Sequence, residues 1–363
     1  MSAKTVLVVG ASGLVGTASV DAFLDAGWNV ISTSRRAPEV FSHRTFVHLS
    51  LDLTDADACS AAVQQYPEVT HIVYAAVWEL PGLMAGWKDQ QQMQTNLTMF
   101  RNIVEPVAAS GSLRHITLLQ GTKAYGVHHH PIRVPSRESE PRDPHENFYW
   151  LQEDFVREHS KRHDYEWTIF RPPLIVGPNY GVAMNVPPVI GAYAALCQQE
   201  GRTFSYPGGV SYVAEAVDTR LVADAAVWAA TSDNAWGEHF NISNGEVFQW
   251  RDLWPALADT LSVEVGEDEP LRITEYLSTR AEAWEQIVAR HGLRPVTLAQ
   301  LVGESHHYAD FQFAYRARRQ PPPALMSTVK LRQAGFCRTQ NTEESFQHWL
   351  QVLIHRRVLP RLG

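Results

Sequence analysis

The sequence predicts an α/β protein, a doubly wound parallel sheet with a smaller C-terminal α/β lobe. Three observations lead there. The chain opens with KTVLVVGASGLVGTASVDAFLDAGWNVISTSRR: an apolar run, a glycine-rich turn, a helix-period segment and a second apolar run, which make one βαβ unit. Near-continuous apolar runs recur at 46–49, 71–75, 115–120 and 167–170, as expected of strands covered on both faces. Helix-period segments separate them, and the right-handed crossover rule then restricts the strand order.

In order along the chain, the first strand begins by Thr5 and the second ends at Ser34. After RPPLIVGP the pattern breaks into short strands, helices and Trp-rich stretches. Residues 1–181 are therefore assigned to the sheet domain and 182–363 mainly to a lobe expected to cap the sheet's C-terminal edge. Within that lobe VDTRLVADAAVWAA reads as a helix and EHFNIS as a strand, so part of 210–245 is expected to rejoin the sheet. RARRQPPP reads as a linker. Trp228, Trp250, Trp254 and Trp284 sit at helix-spaced apolar positions and are expected to pack the lobe's core.

Composition excludes several classes of function. With 363 residues, 45% of them hydrophobic, the chain can bury a core for both parts. A net charge of -8 supplies no basic field for nucleic acid or an anionic membrane. Cys59, Cys197 and Cys337 are scattered without a Cys-x-x-Cys spacing, which argues against a disulfide framework or structural zinc and suits a reducing compartment. No charged-then-apolar leader precedes Thr5, and no apolar run approaches the ~20 residues of a membrane span, so a cytoplasmic protein is expected.

Gly10, Gly13 and Gly16 lie between strand and helix as GASGLVG. Missing side chains there let the backbone turn tightly and approach a pyrophosphate at the helix N-terminus, the Rossmann arrangement. Arg35 and Arg36 follow the second strand where an NAD-selective site presents a carboxylate. Two guanidiniums suit a 2′-phosphate, so NADPH is the expected cofactor, with a solvated basic turn as the alternative. Asp52, after the third strand, is either an adenine contact or a helix cap.

A nicotinamide enzyme needs a donor aimed at the substrate oxygen, and Tyr149 in NFYWLQEDF suits that role. The lysine of a Tyr-x-x-x-Lys pair is replaced by Glu153, whose carboxylate, one turn away, would raise the tyrosine's pKa. The cation must come from elsewhere. Lys123, in QGTKAYG after a strand-like run, is the candidate to lower the Tyr149 pKa and bind the nicotinamide ribose; the alternative is an exposed loop lysine. His128, His129 and His130 are consecutive and so expected to point different ways, without matching carboxylate or cysteine spacing, and no metal is assigned.

Together GASGLVG, Arg35-Arg36, LQGTKAYG, NFYWLQED, RPPLIVGP, NISNGEVFQWRDLWPALAD and WEQIVARHGL resemble the progesterone 5β-reductase and iridoid synthase-like enzymes, atypical extended short-chain dehydrogenases/reductases. The resemblance implies NADPH-dependent reduction of the C=C bond of an enone or enal, with Tyr149 and Lys123 as the catalytic pair. It places Ser12, Gly13, Leu14, Arg35, Arg36, Asp52, Leu53, Ala76, Val77, Gln120, Ile175, Val182, Ala183 and Met184 at cofactor positions, and Trp78, Tyr149, Met184 and Tyr308 around the substrate. Tyr308, in VGESHHYADF, stands in for the plant members' pocket aromatics. The partner is a small molecule, with homodimerisation left open. A carbonyl reductase or epimerase of the same superfamily, or a non-catalytic NADPH sensor, are the alternatives.

Overall fold

The first apolar run, Thr5–Val9, forms β1, buried throughout, and the glycine turn leads into α1 (Leu14–Asp25) and β2 (Asn29–Ser34). There follow β3 (Val47–Ser50), α2 (Ala56–Val63), β4 (His71–Tyr74), α3 (Gln90–Ala109), β5 (His115–Leu119), α4 (Phe148–His163) and β6 (Glu166–Arg171). After Pro173 the chain enters a second unit with β7 (Leu174–Val176), α5 (Pro187–Gln199) and β8 (Ala216–Asp218). It returns to the first unit with α6 (Thr219–Ala229) and β9 (Glu238–Asn241). The second unit then gains α7 (Trp250–Leu261), α8 (Ile273–Ser278), α9 (Ala281–His291), α10 (Leu298–Val302) and α11 (Ser305–Gln312). A last excursion puts α12 (Val329–Gln333) in the first unit before α13 (Thr342–His355) ends the second. This computed structural model describes residues 4–80 and 86–363.

The first unit is built on a seven-stranded sheet of order β3-β2-β1-β4-β5-β6-β9, with every pairing parallel. The order reverses between β1 and β4, so the loops after these strands flank the switch point where such sheets bind ligands. Alternation sorts each strand's side chains onto two faces. Leu7, Val9, Ile31, Ile72 and Tyr74 join Phe100, Ile103 and Val104 of α3 and Val156 of α4. Val6, Val8, Val30 and Val73 join Val20 and Phe23 of α1 and Ala226 of α6. The second unit has a two-stranded β7–β8 sheet and a core that includes Trp250, Trp254, Trp284, Phe204, Phe346 and Trp349.

Several boundaries differ from the sequence reading. The chain changes unit at Pro173/Leu174, eight residues before the expected break, because β7 pairs with β8 and not with the main sheet. The segment 210–245 divides: α6 and the EHFN strand join the main sheet's unit, while β8 stays in the second. Trp228 accordingly packs on Phe240 and Phe336 of the first unit, whereas the other three tryptophans fill the second unit's core. RARRQPPP has no regular secondary structure and ends just before the chain re-enters the first unit at Met326. No helix among the described residues is long and apolar enough to cross a membrane.

Candidate active site

The turn after β1 needs its glycines. Gly10 has φ +80°, and a Cβ there would lie 2.6 Å from the Ala76 amide nitrogen; at Gly16 it would lie 2.1 Å from the Gly10 carbonyl oxygen. Gly13 is the N-cap of α1, which begins at Leu14, so Ser12, Gly13 and Leu14 stand at a helix N-terminus suited to an anion. This turn, too tightly packed on its own backbone to admit side chains at Gly10 or Gly16, and the helix N-terminus beside it suit a dinucleotide pyrophosphate. Arg35 and Arg36 are both exposed directly after β2. Their backbone is held by Ser34 Oγ donating to the Arg36 carbonyl at 2.6 Å and Ser50 Oγ to that of Arg35 at 3.3 Å. The helix-cap alternative for Asp52 falls to Asp55, which caps α2 by accepting from Ala58. Asp52 instead accepts from the Thr54 amide and hydroxyl, at 2.9 and 2.8 Å, and these bonds hold its pKa below the usual carboxylate value. Leu53 is buried, its carbonyl accepting from Asn102 on α3.

After β4, Ala76 and Val77 lead to Trp78, whose backbone is clamped from α3. Asn96 Oδ1 accepts from the Trp78 amide at 2.9 Å and Asn96 Nδ2 donates to its carbonyl at 2.8 Å. Sequence reading missed Asn96, one polar residue among many in α3.

Tyr149 occupies the first turn of α4, where Asn147 Oδ1 accepts from its amide at 3.0 Å. Its hydroxyl lies over Gly121, 3.4 Å from where a Cβ would stand. Lys123 is two residues further on, in a 3-10 turn (Thr122–Tyr125) after β5. Trp87 links the two: the Lys123 Nζ sits 3.6 Å from the Trp87 ring centroid, and the Tyr149 ring meets the same indole edge-on at 5.4 Å. The loop after β5 and the start of α4 therefore meet at Trp87. Trp87 itself was missed; it is a single tryptophan in an unremarkable MAGWKDQ, buried in a short 3-10 turn (Gly86–Lys88) directly before the Asp89 cap of α3.

The electrostatics depart from the sequence reading in two ways. Burial, then the charge of Glu79, raises the Tyr149 hydroxyl above its ordinary value, so the neutral O–H is favoured and Lys123 does not make it a tyrosinate. Burial also pushes Lys123 down to about 8, against an opposing pull from Glu79. Nor does Glu153 act on Tyr149. Its carboxylate is turned into a buried network with Arg142 Nη2 at 2.8 Å, Arg157 Nε at 3.2 Å, His239 Nε2 at 3.1 Å and Gln120 Nε2 at 2.8 Å. Gln120 Oε1 accepts from Arg171 Nε at 2.8 Å, so both ends of the amide expected at the cofactor are engaged within the protein.

Comparison with known proteins gives the family. The model of the NAD dependent epimerase/dehydratase family matches residues 6–243. The chain belongs to that family. As a member, it is similar to (S)-8-oxocitronellyl enol synthase of Catharanthus roseus, 28% identical over 374 residues, 98% of this chain and 92% of that protein. It is similarly related to the 3-oxo-Delta(4,5)-steroid 5-beta-reductase of Arabidopsis thaliana, 27% identical with coverage of 98% and 92%. These are the progesterone 5β-reductase and iridoid synthase-like proteins to which its motifs point. Among solved structures, an epimerase of Methanothermobacter thermautotrophicus has a TM-score of 0.69 at 15% identity, covering 97% and 94% of the two chains. UDP-glucose 4-epimerase of Thermotoga maritima has 0.67 at 15%, covering 98% and 99%. These two likenesses share the fold.

In this family member the second unit holds the remaining expected residues. Ile175 lies in β7 opposite Val217. Val182, Ala183 and Met184 form the loop before α5, with Met184 at φ +60°. Ser305 Oγ donates to the Val182 carbonyl at 2.6 Å and accepts from the Asn185 amide at 3.0 Å, latching that loop to α11. Tyr308 is on the same helix, partly buried, its ring stacked with Phe311. The structure thus brings the two segments together within the unit.

Proposed function

We propose that this protein is an NADPH-dependent reductase of the activated C=C bond of small enones or enals. The observation that carries the reading is the cluster of Tyr149, Lys123 and Trp87, with the tyrosine hydroxyl over Gly121 after β5 and the glycine cradle after β1 of the same sheet. The names of the curated relatives, an enol synthase and a 3-oxosteroid 5β-reductase, support the enone class.

Gly10, Ser12, Gly13, Leu14 and Gly16 would hold the pyrophosphate, Arg35 and Arg36 the 2′-phosphate, and Asp52, Leu53, Ala76 and Val77 would line the rest of the cofactor. When bound, NADPH supplies the hydride, here to the β-carbon of the substrate. Tyr149, kept protonated by burial and Glu79, donates a hydrogen bond to the carbonyl oxygen and stabilises the enolate as its charge develops, and a proton from solvent then reaches the α-carbon to give the saturated carbonyl. Lys123 adds positive charge to that site and anchors the nicotinamide ribose, while Trp87 shields its ammonium from water. Trp78 would contact the hydrocarbon part of the substrate, a role that the family resemblance also gives Met184 and Tyr308. A reducing, cytoplasmic setting suits the free Cys59, Cys197 and Cys337.

A screen of NADPH oxidation across cyclic enones, enals and steroid enones tests the reading. It predicts saturated ketones or aldehydes as products; turnover only of saturated carbonyls or sugar nucleotides would refute it.

A further inference from the structure

Two of the three histidines expected to point apart, His128 and His129, do not. The chain after Tyr125 returns toward α4, which brings His145 back to the His128-His129 pair. The ring centroids of His128 and His129 are 4.1 Å apart, and each lies 4.9 Å from that of His145. One ring nitrogen from each of the three lies within 4.8 Å of the other two. We propose that His128, His129 and His145 form a binding site for a divalent cation of the zinc class, with Asp143 orienting His145.

The hydrogen bonds around the rings fit ligation. His145 Nδ1 is 2.6 Å from Asp143 Oδ1, so the proton on Nδ1 is donated to the carboxylate and Nε2 carries the lone pair. That is the carboxylate–histidine–metal arrangement, in which the carboxylate fixes the tautomer and raises the basicity of the ligating nitrogen. Asn147 Nδ2 donates to the same Nε2 at 3.1 Å and would give way to the cation. Asp143 Oδ2 meets His130 Nε2 at 2.6 Å, placing a negative charge behind the cluster. Both nitrogens of His128 are buried without a hydrogen-bond partner among the described residues, although its ring packs edge-on against Trp87. A buried imidazole is ordinarily paired, and a metal ligand would satisfy one of these nitrogens.

Imidazole donors favour zinc, copper, nickel or cobalt over magnesium and calcium. Tetrahedral coordination with Zn–N bonds of ~2.0–2.1 Å puts ligand nitrogens about 3.3 Å apart, so the rings must close by about 1.5 Å, with water as the fourth ligand. His129 is exposed and supplies most of that movement. Lys88 and Lys123 lie close enough to disfavour positive charge on His128 and oppose the cation too, so micromolar affinity is expected, weaker than a thiolate site.

The test uses untagged, chelator-stripped full-length protein titrated with Co2+ and competed with Zn2+. One equivalent of Co2+ should give the intense visible bands of a tetrahedral site, displaced stoichiometrically by Zn2+. His129→Gln, at an exposed ring that the fold does not need, should weaken binding at least tenfold, and His145→Gln likewise. His159→Gln, which breaks another close histidine pair, with His163 on α4, should leave binding unchanged. Zn2+ should raise the melting temperature of the parent protein but not of His129→Gln. No binding at ~100 µM metal, equal binding by His129→Gln, or loss in His159→Gln would each overturn the proposal. Because the readout is spectroscopic, failure here leaves the proposed reductase activity standing.

Discussion

In the proposed mechanism Tyr149 acts as a hydrogen-bond donor and Lys123 as a cation near its own titration point. Burial lowers Lys123 to about 8, so raising the pH through that value removes its charge. The free-enzyme quantity kcat/KM should therefore fall on the alkaline side with an apparent pKa near that value. Lys123→Arg should abolish that limb, and Trp87→Leu, which admits water to the ammonium, should move it upward. A flat profile to about pH 10 in the parent enzyme would remove Lys123 from the mechanism. Tyr149→Phe should slow enone reduction by roughly a hundredfold or more with NADPH affinity nearly unchanged, Lys123→Ala comparably, and the double variant little further. Neutralising Arg35 and Arg36 together should weaken NADPH at least tenfold and leave NADH almost untouched; equal losses would refute the 2′-phosphate clamp. Tyr149 and Lys123 are legible in the sequence because their neighbours are distinctive. Trp87 and Glu79 are not, since nothing local marks a residue whose importance comes from what packs on it.

At the scale of the element, α4 is the part that must be held still. Asn147 caps its start, and one turn below Tyr149 the Glu153 carboxylate ties the helix to Gln120 at the end of β5 and His239 on β9. The residue in the place of the usual lysine is thus an anchor. Its buried charge, 3% exposed and partnered by Arg142, Arg157 and His239, makes Glu153→Gln costly, at about 3 kcal/mol, because the cations lose their counter-charge. Burial alone would raise the Glu153 pKa; the bonds from His239, Arg142 and Gln120 overcome it and hold the value well below 4.5. A depressed carboxylate contributes stability that is complete above its unfolded value and is lost as pH falls toward the folded one. The gap between parent and Glu153→Gln in urea unfolding should accordingly be wide at neutral pH and narrow below pH 4.5. A constant gap would mean that packing, not charge, is what Glu153 supplies. The sequence shows the i, i+4 spacing of Tyr149 and Glu153 but not the side-chain direction, which the partners on β5 and β9 decide.

Over the whole molecule, the sheet was readable and the second unit was not. Six of the seven strands were marked by apolar runs, and EHFNIS was recognised as a strand that returns, because strands buried on both faces carry their signal locally. The second unit is made of short helices around tryptophans, where membership depends on non-local packing; Trp228 reads like Trp254 yet belongs to the other core. Trp254 is fully buried, stacks on Phe204 with centroids 4.4 Å apart and donates Nε1 to the Phe204 carbonyl at 3.0 Å. Trp254→Ala should cost about 3 to 5 kcal/mol by chemical denaturation. A loss below about 1 kcal/mol would show that this core does not depend on it.

The central claim is that hydride reaches the β-carbon while Tyr149 holds the carbonyl oxygen. The most direct measurement is reduction of a small cyclic enone with NADPH carrying deuterium at the transferred position, followed by mass spectrometry and NMR of the product. Conjugate reduction predicts a saturated ketone labelled at the β-carbon, formed far more slowly by Tyr149→Phe with the label in the same place. An allylic alcohol labelled at the former carbonyl carbon would contradict it.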